Sequence, residues 1–195
     1  MIVLASASPR RQELLRSAGI AFAVQAADVD ETPLAGESAQ ECAERLAREK
    51  ALAVWRGRPN DVVLGADTVV VVDGMILGKP VDADDAVRML RMLSGRVHEV
   101  ITGVAVVGCQ LPVASKNAVA TASETTLVTM CEVSEAEIRD YVATGEPMDK
   151  AGAYAIQGIA SRWIPRIEGD YSNVVGLPVA LVWRMIASTA ARPRE

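Results

Sequence analysis

The sequence predicts an α/β protein: a curved mixed sheet flanked by helices, divided into two lobes around a cleft. Three observations carry that prediction. Helical and strand-like segments alternate early in the chain. Longer, hairpin-like strand patterns dominate the middle. Two capping boxes, Ser38-x-x-Glu41 and Ser134-x-x-Glu137, mark helix starts between them. At 195 residues, half of them hydrophobic, the chain suits one domain with two lobes and a sizeable core.

The elements follow in order. Ile2-Val3-Leu4 is a short apolar run that reads as a buried strand. Ser8 is a good N-cap, and Pro9 suits the first helical position, where its missing N–H removes nothing. Phe22 to Gln25 reads as a second strand, leading to the acidic loop Asp28-Val29-Asp30-Glu31. The first capping box opens a helix that runs to about Trp55, with an apolar stripe through Cys42, Leu46 and Val54. Val62 to Val72 reads as two strand pieces joined through Asp67, and Asp73-Gly74 is a hairpin turn signal. Met75-Ile76-Leu77 returns from that turn and ends in Gly78-Lys79-Pro80. A helix is expected from about Asp84 to Leu93, stopped by Gly95. Val97 to Val107 and Leu111 to Val133 read as antiparallel strands turning near Gly108. The second capping box starts a helix ending near Gly145. Arg162 to Ile167 reads as a strand, and Pro178 to Ser188 as the last helix.

Bulk properties exclude several functions. A net charge of −5 argues against binding a nucleic acid polymer, which calls for a basic face. Cys42, Cys109 and Cys131 show no metal-ligand or CxxC spacing and read as free thiols, small buried hydrophobes of a reducing compartment. The N-terminus lacks a basic, signal-like pattern, and charges interrupt the longest apolar stretches. A soluble cytoplasmic protein without membrane contact is therefore expected.

The opening segment carries the first chemical signal. Two serines, a helix start and two arginines, Arg10 and Arg11, converge at a strand end. Cations are unfavourable in a first helical turn, so this set suits an anion, most simply a phosphate chain. The alternative is a capped surface helix with solvated arginines. Lys50 falls on the apolar stripe of its helix, four residues from both Leu46 and Val54. Either it snorkels to solvent or it reaches a ligand. Asp67 interrupts a strand-forming run, where a buried carboxylate needs a partner or a cation. It either reaches solvent at a bulge or is presented at a cleft to hold a metal or take a proton from water. Glu31 is a candidate second metal ligand, and Lys79 a candidate phosphate contact. His98, the sole histidine, reads as structural. Neither a Walker A motif nor GxGxxG is present. Together these residues are what metal-assisted attack on a nucleoside triphosphate requires.

The chain resembles the Maf family of nucleoside triphosphate pyrophosphatases. Ser6-Ala-Ser8-Pro9-Arg10-Arg11 matches the family's SxSPRR opening. Arg48-Glu49-Lys50-Ala51, Gly65-Ala66-Asp67-Thr68 and Gly78-Lys79-Pro80 follow in order. Two longer motifs complete the match, from Gly145 to Gly158 and from Gly169 to Pro178. Met130-Cys131, and the segment from Ile159 to Trp163, depart from the family pattern.

The resemblance implies an inosine triphosphatase-like fold, a divalent cation (Mg or Mn), a cytoplasmic homodimer and, for some members, a link to septum formation. It implies cleavage between the α- and β-phosphates, with Asp67 as general base. Ser8, Arg11, Lys50 and Lys79 become phosphate contacts, and Glu31 and Asp67 metal ligands. Arg10, Thr68 and Gln157 match the branch preferring dTTP and UTP over 7-methyl-GTP. Two other readings stand beside it, a nucleotidyltransferase and a nucleotide-binding regulator of cell division. In nucleotidyltransferases, however, Lys-Pro follows the basic loop closely, whereas Lys79-Pro80 lies far downstream.

Overall fold

The computed structural model describes residues 1–108 and 119–190. Cys109, the start of the strand expected from Leu111 and the expected turn after Gly108 lie outside them. Seven strands occur among the described residues: β1 (Ile2–Leu4), β2 (Phe22–Val24), β3 (Val62–Val72), β4 (Met75–Leu77), β5 (Val97–Val107), β6 (Val119–Thr129) and β7 (Arg166–Glu168). They form one sheet in the order β2-β1-β3-β5-β6-β7, with β4 added to β3. The sheet is mixed. β1 runs parallel to β2 and β3, whereas β3–β4 and β6–β7 are antiparallel. The helices are α1 (Pro9–Ser17), α2 (Ala39–Trp55), α3 (Ala83–Leu93), α4 (Glu135–Ala143), α5 (Tyr171–Val175) and α6 (Val179–Ala190).

The chain separates into two compact units. The first comprises Met1–Asp67 with the described parts of Thr102–Glu124 and Gly176–Glu195. Here the period-two alternation of the strands sorts the core onto two faces. Leu4, Leu64, Ala66, Val104 and Val106 join Leu15 of α1 and Leu181 and Val182 of α6. Val3, Ala5, Val63, Ala105 and Val107 join Ala47, Ala51 and Val54 of α2 on the other face. Leu64 is fully buried, and truncating such a leucine to alanine costs about 2–5 kcal/mol.

Helix α2 lies very close to the strands because glycine makes room for it. A Cβ on Gly65 of β3 would sit 2.1 Å from the Ala47 carbonyl oxygen, and one on Gly103 of β5 would sit 2.2 Å from that of Ala43. Both distances lie inside van der Waals contact. The alanine stripe of α2 therefore seats directly on backbone.

The second unit comprises Thr68–Ile101 and Thr125–Val175. Its core gathers Val70, Leu90, Leu93, Val128, Ile138, Tyr141 and Trp163. The β3–β4 turn is Asp73-Gly74, both with positive φ, as a type I′ hairpin turn requires.

Both capping boxes form with their reciprocal hydrogen bonds, and Ser8 and Pro9 cap α1 as expected. Three local expectations fail. Val62–Val72 is one continuous strand rather than two pieces, because Asp67 finds a buried cationic partner. The strand expected from Arg162 begins only at Arg166, because Arg162 and Trp163 belong to a 3₁₀ turn, Ile159–Trp163. Trp163 is buried there, and i→i+3 bonds from Ser161 and Ile164 close the turns. Cys131 is exposed, whereas Cys42 is buried as expected.

Candidate active site

A lysine and two carboxylates meet in the first unit. Within β3, Val63 and Gly65 face α2, so the pleat turns Asp67 to that side as well. Lys50 of α2 donates to Asp67 Oδ1 at 2.6 Å and to Glu31 Oε1 at 2.5 Å. Asp67 and Lys50 are buried, while Glu31 is exposed on its acidic loop. The two open readings of Lys50 and Asp67 thus share one answer: each is the other's partner. Separating such a pair leaves an uncompensated buried charge, costing about 3–5 kcal/mol.

Arg11 stands beside this group. Its Nε donates to the Gly176 carbonyl at 2.7 Å, and Nη1 donates to the Ala66 carbonyl at 2.9 Å and to Ser6 Oγ at 3.2 Å. Burial lowers the Arg11 pKa from its ordinary value, Asp67 and Glu31 pull it back up, and Arg10 adds to the lowering. A guanidinium stays protonated throughout. Ser8 Oγ accepts the Arg11 backbone N–H at 3.4 Å, as the N-cap of α1. Ser6 and the carbonyls of Ala66 and Gly176 were missed as positioning groups. Ser6 lies within the opening motif, but backbone acceptors leave no mark in a sequence.

The other sequence-derived candidates are placed differently. Arg10 is half-buried in the first turn of α1. Thr68, Lys79 and Gln157 belong to the second unit. Thr68 follows Asp67 in β3, so its side chain leaves the opposite face of the sheet. Lys79 is exposed after β4, in a loop fixed by the Gly152 N–H on the Gly78 carbonyl at 3.0 Å. Gln157 is exposed on a turn held at two points. Ala155 N–H donates to Tyr141 Oη at 3.3 Å, and Ile159 N–H donates to Glu146 Oε1 at 3.1 Å. His98 is buried with Nε2 2.7 Å from Tyr154 Oη, and burial pushes its pKa down to about 4. Its ring is therefore neutral near pH ~7.

The donor set has a definite chemical character. Glu31 and Asp67 offer hard oxygens that already converge on one positive charge, the Lys50 ammonium. No cluster of three or more His, Cys, Asp or Glu able to hold a metal occurs among the described residues. Two carboxylates fit a small hard cation such as Mg or Mn, which commonly takes one or two carboxylates and completes its shell with water and phosphate. No helix among the described residues is long and apolar enough to cross a membrane.

Comparison with known proteins agrees with the motifs. A family model described as Maf-like protein matches residues 1–189. The chain is 57% identical over 185 residues to the dTTP/UTP pyrophosphatase of Koribacter versatilis (strain Ellin345), covering 95% of this chain and 92% of that one. It is 53% identical over 181 residues to the dTTP/UTP pyrophosphatase of Geobacter sulfurreducens, covering 93% and 92%. Among solved structures, a nucleoside-triphosphatase / dITP/XTP pyrophosphatase from Mycobacterium abscessus aligns with a TM-score of 0.43 at 16% identity, over 98% of this chain and 97% of that one.

Proposed function

The chain belongs to the Maf family, and on that premise we propose that it hydrolyses dTTP and UTP to the monophosphate and pyrophosphate, by attack of water at the α-phosphorus. The relatives' names support the substrates. The observation that carries the chemistry is the buried Asp67 carboxylate, held at 2.6 Å by Lys50 beside Glu31.

In this reading Asp67 accepts the proton of the attacking water, the part of a general base. Ser8, Arg11, Lys50 and Lys79 bind the phosphate chain and stabilise the charge that develops on it. Ser6 and the carbonyls of Ala66 and Gly176 hold Arg11 in place, so its fork is oriented before substrate arrives. A divalent cation, Mg or Mn, would be held by Glu31 and Asp67 and would supply further neutralisation of phosphate charge. Arg10, Thr68 and Gln157 read the base, the last two offering donors and acceptors to a pyrimidine edge.

A panel of normal and methylated nucleoside triphosphates, with Mg and with Mn, tests the proposal. The expected result is fastest turnover of dTTP and UTP, with monophosphate and pyrophosphate in equal amounts. Preference for 7-methyl-GTP would overturn the substrate assignment. Orthophosphate as the sole inorganic product would overturn the cleavage site.

A further inference from the structure

Lys50 occupies the place that the two carboxylates would offer a metal. Its ammonium lies 2.5 Å from Glu31 Oε1 and 2.6 Å from Asp67 Oδ1, so one charge engages both donors at once. The lysine side chain is 9% exposed and that of Asp67 is 11% exposed, so solvent screens their attraction little. Glu31, at 43%, stays open to solvent. A second cation at the same oxygens would meet the ammonium charge at close range, and that repulsion weakens its binding while the ammonium remains.

We propose that Lys50 is the resting occupant of this cation position, and that it gives the position up when a polyphosphate draws the ammonium away. Metal loading is thereby coupled to substrate binding. This rests on the reading of Glu31 and Asp67 as the metal-holding pair. The residue type suits the role. Lysine carries a compact charge on a flexible four-carbon stem, so its end can move without its backbone. The backbone is pinned, because Ala47 and Ala51, on either side of Lys50 along α2, are seated against Gly65. Linkage makes the coupling reciprocal: whatever substrate does for metal affinity, metal does for substrate affinity.

The test is Mn²⁺ binding to the nucleotide-free protein, followed by titration calorimetry and by the spin resonance of free Mn²⁺. Lys50→Met removes the competing charge, and Mn²⁺ should bind about 5–150-fold more tightly than to wild type, the usual range of such couplings. Lys50→Arg keeps a competing charge and should stay as weak as wild type. Adding Glu31→Gln to Lys50→Met should abolish the gain, which places the ion at this pair. If Lys50→Met does not fold, Lys50→Gln removes the charge while keeping an amide donor between the carboxylates. Equal or weaker Mn²⁺ binding by the folded neutral variant overturns the proposal. The proposed reaction fails separately, if wild type releases no pyrophosphate from any triphosphate, and that result leaves the binding comparison standing.

Discussion

Two basic side chains of helix α2 each engage two carboxylates, and the two clusters are built differently. Arg45 places Nε and Nη2 on the two oxygens of Glu37 at 2.6 and 2.9 Å. It also reaches Glu49 at 3.3 Å and the Thr32 carbonyl at 3.1 Å. A planar fork with both prongs engaged has one geometry, so this cluster fastens the loop before α2 onto the helix. Lys50 instead shares a single point charge between Glu31 and Asp67, which come from a loop and a strand. Arginine here serves as a clamp, while lysine neutralises two carboxylates it can later release. The lesson is that an ion pair's chemistry follows from the cation's shape and from what its partners are attached to.

The largest effect that separates the two clusters is on turnover. Asp67→Asn keeps the size of the side chain and an acceptor for Lys50, but it cannot take a proton. Turnover should fall about 10²–10⁴-fold, the usual contribution of a general base. Circular dichroism should show the fold intact. Glu49→Gln in the Arg45 cluster should leave turnover close to wild type. Near-wild-type rates for Asp67→Asn would remove Asp67 from the chemistry.

A smaller effect comes from the glycines under the helix. Gly65 lies beneath the Lys50 end of α2, and Gly103 beneath the Arg45 end, facing Ala43. Alanine at either position forces backbone apart and should cost about 1–3 kcal/mol, read as a lower melting temperature. Turnover should separate them. Gly65→Ala moves the stretch that carries Lys50 relative to Asp67 and should lower kcat as well. Gly103→Ala should lower it less. Equal losses of kcat at equal losses of stability would mean that α2 shifts as a rigid rod and that Gly65 has no particular hold on the site.

What the sequence disclosed follows the range of the interactions involved. Both capping boxes close within four residues, so Ser38 and Ser134 announced their helices. Lys50 and Asp67 were conspicuous as charges in apolar patterns, and their pairing explains both anomalies at once. The pairing itself joins residues far apart in the chain, which periodicity cannot reveal. Arg11 was visible as an odd cation in a first helical turn. Its anchor on the Gly176 carbonyl was not, because a backbone acceptor has no residue type. The 3₁₀ turns Glu146–Asp149, Ala151–Ala153 and Ile159–Trp163 carry no period of two or of 3.6, and they were overlooked or read as strand. Charge and pattern singled out Arg10, Arg11, Glu31, Lys50, Asp67 and Lys79, the family resemblance added Thr68 and Gln157, and the geometry joined Glu31, Lys50 and Asp67 and set Arg11 beside them.

The smallest effect lies in the clamp itself and shows only against pH. Hydrogen bonds from Arg45 hold the Glu37 carboxyl down at about 2, from an ordinary 4.5. Between those values the unfolded chain binds a proton that the folded chain does not. Stability from the clamp is therefore fully present above the unfolded pKa and is lost as the pH falls through the folded one. Arg91 holds Glu135 at about 2 in the same way, and hydrogen bonds also lower Asp30, Glu41, Glu137 and, against the opposing pull of burial, Asp85, so wild type loses several such contributions as the pH falls. Glu37→Gln removes one and leaves the rest. Its melting temperature should fall less steeply than that of wild type as the pH drops from about 5 towards 2, with the two curves converging at the acid end. At neutral pH the variant should melt slightly lower and turn over at nearly the wild-type rate, since the hydrogen bonds between Arg45 and Glu37 do not involve Asp67. Parallel melting curves across the window would show that Arg45 and Glu37 contribute no stability linked to protonation, and the contrast with Lys50 would then rest on geometry alone.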